Sequence, residues 1–205
     1  RNTRIGTNAG NSFSGTTTDN TLIGYDAGTA ITSGDSNVAV GSYALDANTT
    51  ASGNSALGYQ ALTANTTASH NTAVGVNALG ANTTGAEHVA IGSRALQANT
   101  TGADNTAAGF SALKANTTGS YNCAFGGNAL IANTTGANNV AIGYDVLAAN
   151  TTGQQNTAVG HQALDANTTG AYNQAFGQQE NIIVLLGGEH YFQIQLQMVI
   201  LLLVI

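Results

Sequence analysis

The tripeptide Asn-Thr-Thr begins at Asn48, Asn65, Asn82, Asn99, Asn116, Asn133, Asn150 and Asn167, and every step between these positions is 17 residues. A glycine ladder runs in the same register through Gly24, Gly41, Gly58, Gly75, Gly92, Gly109, Gly126, Gly143, Gly160 and Gly177. A period that never slips leaves few folds open, because each repeat must be one unit that buries its apolar side chains against its neighbours. Seventeen residues are too few for a βαβ unit or a helix pair, and they suit one coil of a parallel solenoid. The fold class read from the period is all-β, a parallel β-solenoid with one 17-residue turn per repeat, identical residues stacking at about 4.8 Å.

Aligned on the glycine, the unit reads N-T-A-V-G-x-x-A-L-x-A-N-T-T-G-x-x. The slot before the glycine is always apolar (Val40, Leu57, Val74, Ile91, Phe125, Ile142), which suits a short buried strand. Leu45, Leu62, Leu79, Leu96, Leu113, Leu130, Leu147 and Leu164 form a second apolar column, and two columns predict two strands per turn. The alanine that precedes the first column (Ala39, Ala56, Ala73, Ala90) points to the opposite side of its strand. A strand apolar on both sides is normally covered on both. The expectation is that the branched residues line the interior, while the small Ala and Gly side admits a neighbouring copy in a homo-oligomer, a trimer or a filament.

Composition narrows the function classes. Four Lys+Arg against ten Asp+Glu leave a net charge of −6, too little positive charge to hold phosphates, so nucleic acid is not expected as a partner. One cysteine excludes an internal disulfide framework or a CxxC site. No cofactor is expected. At the start of the chain no basic stretch precedes an apolar core, so a secretion signal is read as absent or already removed.

Single residues with chemical potential fall into repeat slots. Cys123 takes a strand slot held elsewhere by Val38, Ser55, Thr72, Val89 and Thr106, and no histidine shares its turn, so it reads as a small strand residue. His88 replaces the ladder asparagine of Asn54, Asn71 and Asn105 and is expected to take over its hydrogen bonds. His70 and His161 lie in variable slots without metal-ligand spacing. The glycines at 41, 58, 75, 92, 109, 126, 143 and 160 (Gly41, Gly58, Gly75, Gly92, Gly109, Gly126, Gly143, Gly160) are structural ladder positions, not a phosphate loop. All eight Asn-Thr-Thr triplets are formal N-glycosylation sequons, and corner chemistry is the plainer explanation of them. The two slots after the glycine and the one before the ladder Asn vary, and Tyr43, Tyr59, Arg94, Phe110 and Tyr144 there form a candidate adhesive surface. Asp46 and Asp165 share a slot seven turns apart, too far for a catalytic carboxylate pair, and the chain is read as no enzyme.

Three segments follow. Residues 1–19 form an irregular first turn, since Gly6 to Gly24 is 18 residues. Residues 20–179 form the solenoid. Residues 180–205, where the period stops and Met198 to Ile205 is unbroken apolar sequence, read as a cap or as strands joining a neighbouring subunit. Eight apolar residues are too few for a membrane span, which needs about 20.

The stretches Asn71 to Leu79 and Asn156 to Leu164 resemble the S-V-A-I-G-x-x-A head repeats of trimeric autotransporter adhesins of the YadA type. They are also similar to the NTAVG…ALxANTTG arrays of phage tail-fibre-like and bacterial surface proteins. The resemblance implies a left-handed β-roll, a homotrimer and exposure on a cell or virion surface. The expected function is a structural extracellular fibre or filament module with an adhesive flank facing a host-surface glycan or protein. A phage tail-fibre shaft and an ice- or glycan-binding solenoid are the alternatives.

Overall fold

A computed structural model of the chain describes residues 1–15, 17–178 and 183–186. It contains twelve short strands: β1 Thr3–Ile5, β2 Thr21–Ile23, β3 Val38–Val40, β4 Ser55–Leu57, β5 Thr72–Val74, β6 Val89–Ile91, β7 Thr106–Ala108, β8 Cys123–Phe125, β9 Val140–Ile142, β10 Thr157–Val159, β11 Asn173–Phe176 and β12 Ile183–Leu186. Strands β1 to β11 pair in parallel with their neighbours in chain order, one rung per turn of a β-solenoid. Ala56 aligns with Ala39 and Ala73, so the register equals the sequence period. Eleven rungs make a sheet about 50 Å long at the usual strand spacing.

The strand faces are the reverse of the sequence expectation. Ala39, Ala56, Ala73, Ala90, Ala107, Ala124, Ala141 and Ala158 have no solvent exposure, whereas Leu57 is 40% exposed, Ile91 46% and Phe125 43%. The alanines line the interior and the branched or aromatic residues face out. The reason lies across the coil, where the leucine column Leu45, Leu62, Leu79, Leu96, Leu113, Leu130 and Leu147 is wholly buried in the same cluster. Those leucines fill the space in front of the strand, and only a methyl group fits between.

The first regular turn displays this compensation. There the inward strand residue is Leu22 and the leucine slot holds Gly28, where an added Cβ would lie 2.9 Å from both terminal methyls of Leu22. One leucine fits per turn, from either wall. In the 18-residue first turn the inward strand slot holds Arg4, whose guanidinium donates to the Gly10 carbonyl and sits 5.4 Å over the Phe13 ring.

Each turn has one strand, not the two expected. The leucines sit on a tight corner with φ near +50°, as at Leu79 (φ 52), and the slot two before them is also left-handed, as at Asn77 (φ 56). A non-glycine residue there costs about 1–2 kcal/mol. Burial of a leucine side chain is worth about 1.5–3 kcal/mol, so the corner is affordable where the leucine is fully covered. Backbone bonds between turns continue through these corners, as from Leu62 N–H to the Ala78 carbonyl (3.0 Å) and from Thr49 N–H to the Thr66 carbonyl (3.0 Å). The ladder glycine, at φ 137 for Gly41, lies so close to the next turn that a Cβ would be 2.5 Å from the Gly58 carbonyl oxygen.

At the far end β12 pairs antiparallel with β11, Phe176 facing Ile183. Within 180–205 the expected cap or joining strands therefore include one strand on the last rung; the rest of that segment lies outside the described residues. Among the described residues no helix is long and apolar enough to cross a membrane.

Candidate functional site

Two files of buried asparagine run along the interior. In the first, the Asn of each turn receives its successor's backbone N–H on Oδ1: Asn139 N–H donates to Asn122 Oδ1 (3.0 Å) and Asn156 N–H to Asn139 Oδ1 (3.0 Å). Their Nδ2 groups reach the corner carbonyl of the following turn, as Asn139 does to Gly153 (2.9 Å). In the second file Asn133 Nδ2 donates to Asn116 Oδ1 (2.9 Å) and to the Gly136 carbonyl (2.9 Å). Both files place amide groups where water is excluded and pair them turn upon turn.

The second file is the sequon asparagines. Asn48, Asn65, Asn82, Asn99, Asn116, Asn133 and Asn150 have no solvent exposure, and Asn167 is half-buried with its Nδ2 bonded to Asn150 Oδ1 (2.9 Å). A glycan on any of these nitrogens does not fit the folded coil, so the sequon reading is replaced by an internal ladder. In the first seven triplets the two threonines differ in burial: Thr117, for one, is half-buried and its hydroxyl donates to the Thr134 carbonyl (3.0 Å), while Thr118 is exposed.

His88 occupies one position of the first file, fully buried. Asn105 N–H donates to Nδ1 (3.2 Å), and Nε2 donates to the Gly102 carbonyl (2.7 Å), so the ring is the neutral Nε2–H tautomer. Burial holds its pKa below the usual histidine range, against the Gly102 and Asn105 bonds and the Asp104 charge. Cys123 faces outward on β8, between Thr106 and Val140, and partial burial raises its thiol pKa, which leaves little thiolate for nucleophilic chemistry.

The outward side of the sheet consists of two rows. One is Thr21, Val38, Ser55, Thr72, Val89, Thr106, Cys123, Val140 and Thr157; the other is Ile23, Val40, Leu57, Val74, Ile91, Ala108, Phe125, Ile142 and Val159. Neither contains a charged side chain. Of the 15 large apolar side chains exposed among the described residues, eight stand in these rows, counting Ile5 and Phe176 at the ends. Five more, Tyr25, Tyr59, Val76, Phe110 and Tyr144, occupy the slot directly after the glycine. The exposed apolar surface is thus concentrated on one flank of the rod.

The residues singled out for adhesion all lie at that corner, in two groups. Tyr43 packs edge-on against Tyr25 (5.5 Å) and Tyr59 (6.1 Å). Arg94 lies 6.0 Å over Phe110, and Tyr144 stacks on His161 (5.8 Å) and lies close to Gly127.

Sequence reasoning missed one juxtaposition, a carboxylate pair: Glu87 and Asp104 share a slot in consecutive turns, about 5 Å apart by rung spacing. Glu87 is exposed and Asp104 half-buried, each with backbone bonded into the coil. Among the described residues no group of three or more His, Cys, Asp or Glu is placed to hold a metal ion. Comparison with protein-family models, with curated proteins and with solved structures returns no match.

Proposed function

We propose that the chain is a structural fibre module that works as a self-associated rod on an extracellular, cell or virion surface. The observation that carries this reading is the uncharged outer side of a parallel sheet running the length of the coil, with one row apolar throughout and the other mixing hydroxyl and small apolar residues. Parallel sheets are normally covered on both sides. Three-residue strands on eleven rungs present about 500 Å² of flat, uncharged surface, of which the apolar row is roughly half. With the aromatic corner the area approaches the roughly 800 Å² per partner of a stable interface.

The best occupant is a second copy of the same sheet, because an uncharged, regular surface is complementary to itself and the rung spacing of the two copies matches. A homotrimer closing three such sheets around an axis removes the face from water without leaving an open edge, and a phage tail-fibre shaft is the variant of the same assembly on a virion. This reading assigns the chain no catalytic role. The aromatic corner would flank the assembled face and could meet a glycan or protein of a host surface with Tyr59 and Phe110.

Negative-stain imaging combined with light scattering tests the proposal. Rods about 50 Å long or longer, at twice or three times the chain mass or above, are expected. A monodisperse monomer at micromolar concentration would overturn it.

A further inference from the structure

We propose that His88 makes one rung of the rod acid-sensitive, dividing the coil between β6 and β7 when its imidazole is protonated. In the first asparagine file every other link is an amide oxygen receiving a backbone N–H, and an amide oxygen cannot be converted to a donor near neutral pH. At His88 the acceptor is Nδ1, and protonation converts it to a donor facing the Asn105 N–H. The link would then place two donors against each other in a site without solvent access, and the Asn105 N–H would lose its only acceptor there. Nε2 offers no escape, because its hydrogen is already committed to the Gly102 carbonyl.

The surroundings leave little room for the ring to turn away. A Cβ on Gly85 would lie 2.8 Å from Nε2, and Asn99 Nδ2 lies 3.1 Å from it, with both of that amide's hydrogens directed to Asn82 Oδ1 (2.8 Å) and the Gly102 carbonyl (3.0 Å). The charged groups nearby are Glu87, adjacent on the same turn and exposed, and Asp104 on the facing turn, which favours the cation; the other side chains against the ring, Asn71, Asn82, Asn99 and Asn105, are neutral. Burial outweighs Asp104 in setting the direction of the shift.

Two bonds of this rung are longer than their counterparts in other turns. The Val89 N–H donates to the Asn105 carbonyl at 3.0 Å, whereas the equivalent bonds from Thr72, Thr106, Cys123 and Val140 are all 2.8 Å. The Asn105 N–H to Nδ1 distance of 3.2 Å exceeds the 2.9–3.0 Å of the amide links, as befits a nitrogen acceptor in place of an oxygen. A histidine pKa lowered in the closed coil means that opening takes up a proton. Closure is therefore fully stabilised above the ordinary histidine value of about 6.5, and that stability is lost as pH falls below it toward the lowered value.

Hydrogen exchange with mass-spectrometric readout, corrected for intrinsic rates and run on the whole chain at pH 7.5 and pH 5.0, tests this. Protection of peptides covering Val89 and Asn105 should fall by about tenfold or more at the lower pH, while peptides around Val140 hold theirs. In His88→Asn, which restores the amide of the other turns, the two regions should respond alike. Equal responses of both regions in the native chain, or a local loss that persists in His88→Asn, would overturn the proposal. Should His88→Asn not fold, the native chain decides by NMR: an imidazole titrating near 6.5 with Asn105 still protected sinks it.

Discussion

At the residue scale the buried amides carry the most consequence per atom. Asn116 receives Asn133 Nδ2 and donates to Asn99 Oδ1 and the Gly119 carbonyl, all at 2.9 Å and all without solvent. Asn116→Ala leaves a donor and two acceptors short of a partner, at about 1–3 kcal/mol for each group left wholly unsatisfied. A loss of roughly 2–4 kcal/mol is therefore expected in denaturant unfolding, since the neighbours keep their other bonds. Thr118→Ala, one exposed position on in the same triplet, should change stability by less than about 0.5 kcal/mol. Sequon chemistry would predict no such contrast, because a glycosylated asparagine would have to be on the surface.

At the scale of the turn, one leucine per coil is shared between two walls. Ala39→Leu alone adds three carbons to a space that Leu45 already fills, and overpacking of this kind costs about 1–3 kcal/mol. Combined with Leu45→Gly it reproduces the Leu22 and Gly28 arrangement of the neighbouring turn. The pair should therefore be more stable than the sum of the single changes by about 0.5–3 kcal/mol in a double-mutant cycle. Additive effects would show that the two walls do not compete for one volume. Part of this arrangement was readable beforehand, since the buried leucine column is plain in the sequence. The single strand per turn was not, because nothing in a leucine marks it for a left-handed corner; strong burial outweighs an unfavourable backbone conformation there.

For the whole molecule, the proposed assembly rests on the sheet flank. Introducing charge at Ile91→Lys and Ile142→Lys places two unpaired cations on the proposed contact surface without touching the interior, since both side chains are more than two-fifths exposed. Light scattering should show dissociation toward monomer, with the β-sheet circular dichroism kept. Thr84→Lys, exposed and outside the two outward rows, should leave the assembly intact. Cys123 gives an independent report: it lies on the same outward rows, so mild oxidation should trap copies as covalent pairs if the faces meet around the middle of the sheet. Failure of both lysine substitutions to alter the mass would place the contact elsewhere.

The period, the all-β class, the parallel register, the glycine ladder and the place of His88 among the asparagines were determined by the sequence alone, because in a solenoid the spacing along the chain is the spacing between contacts. Which side of the strand faces in was decided by the tertiary structure. A three-residue strand such as Val-Ala-Ile is apolar throughout and has no polar marker to orient it. The choice falls to the width of the interior, where the leucine across the coil leaves room for a methyl group and nothing larger. That same packing turned the branched residues outward, and with them the surface on which the proposed assembly rests.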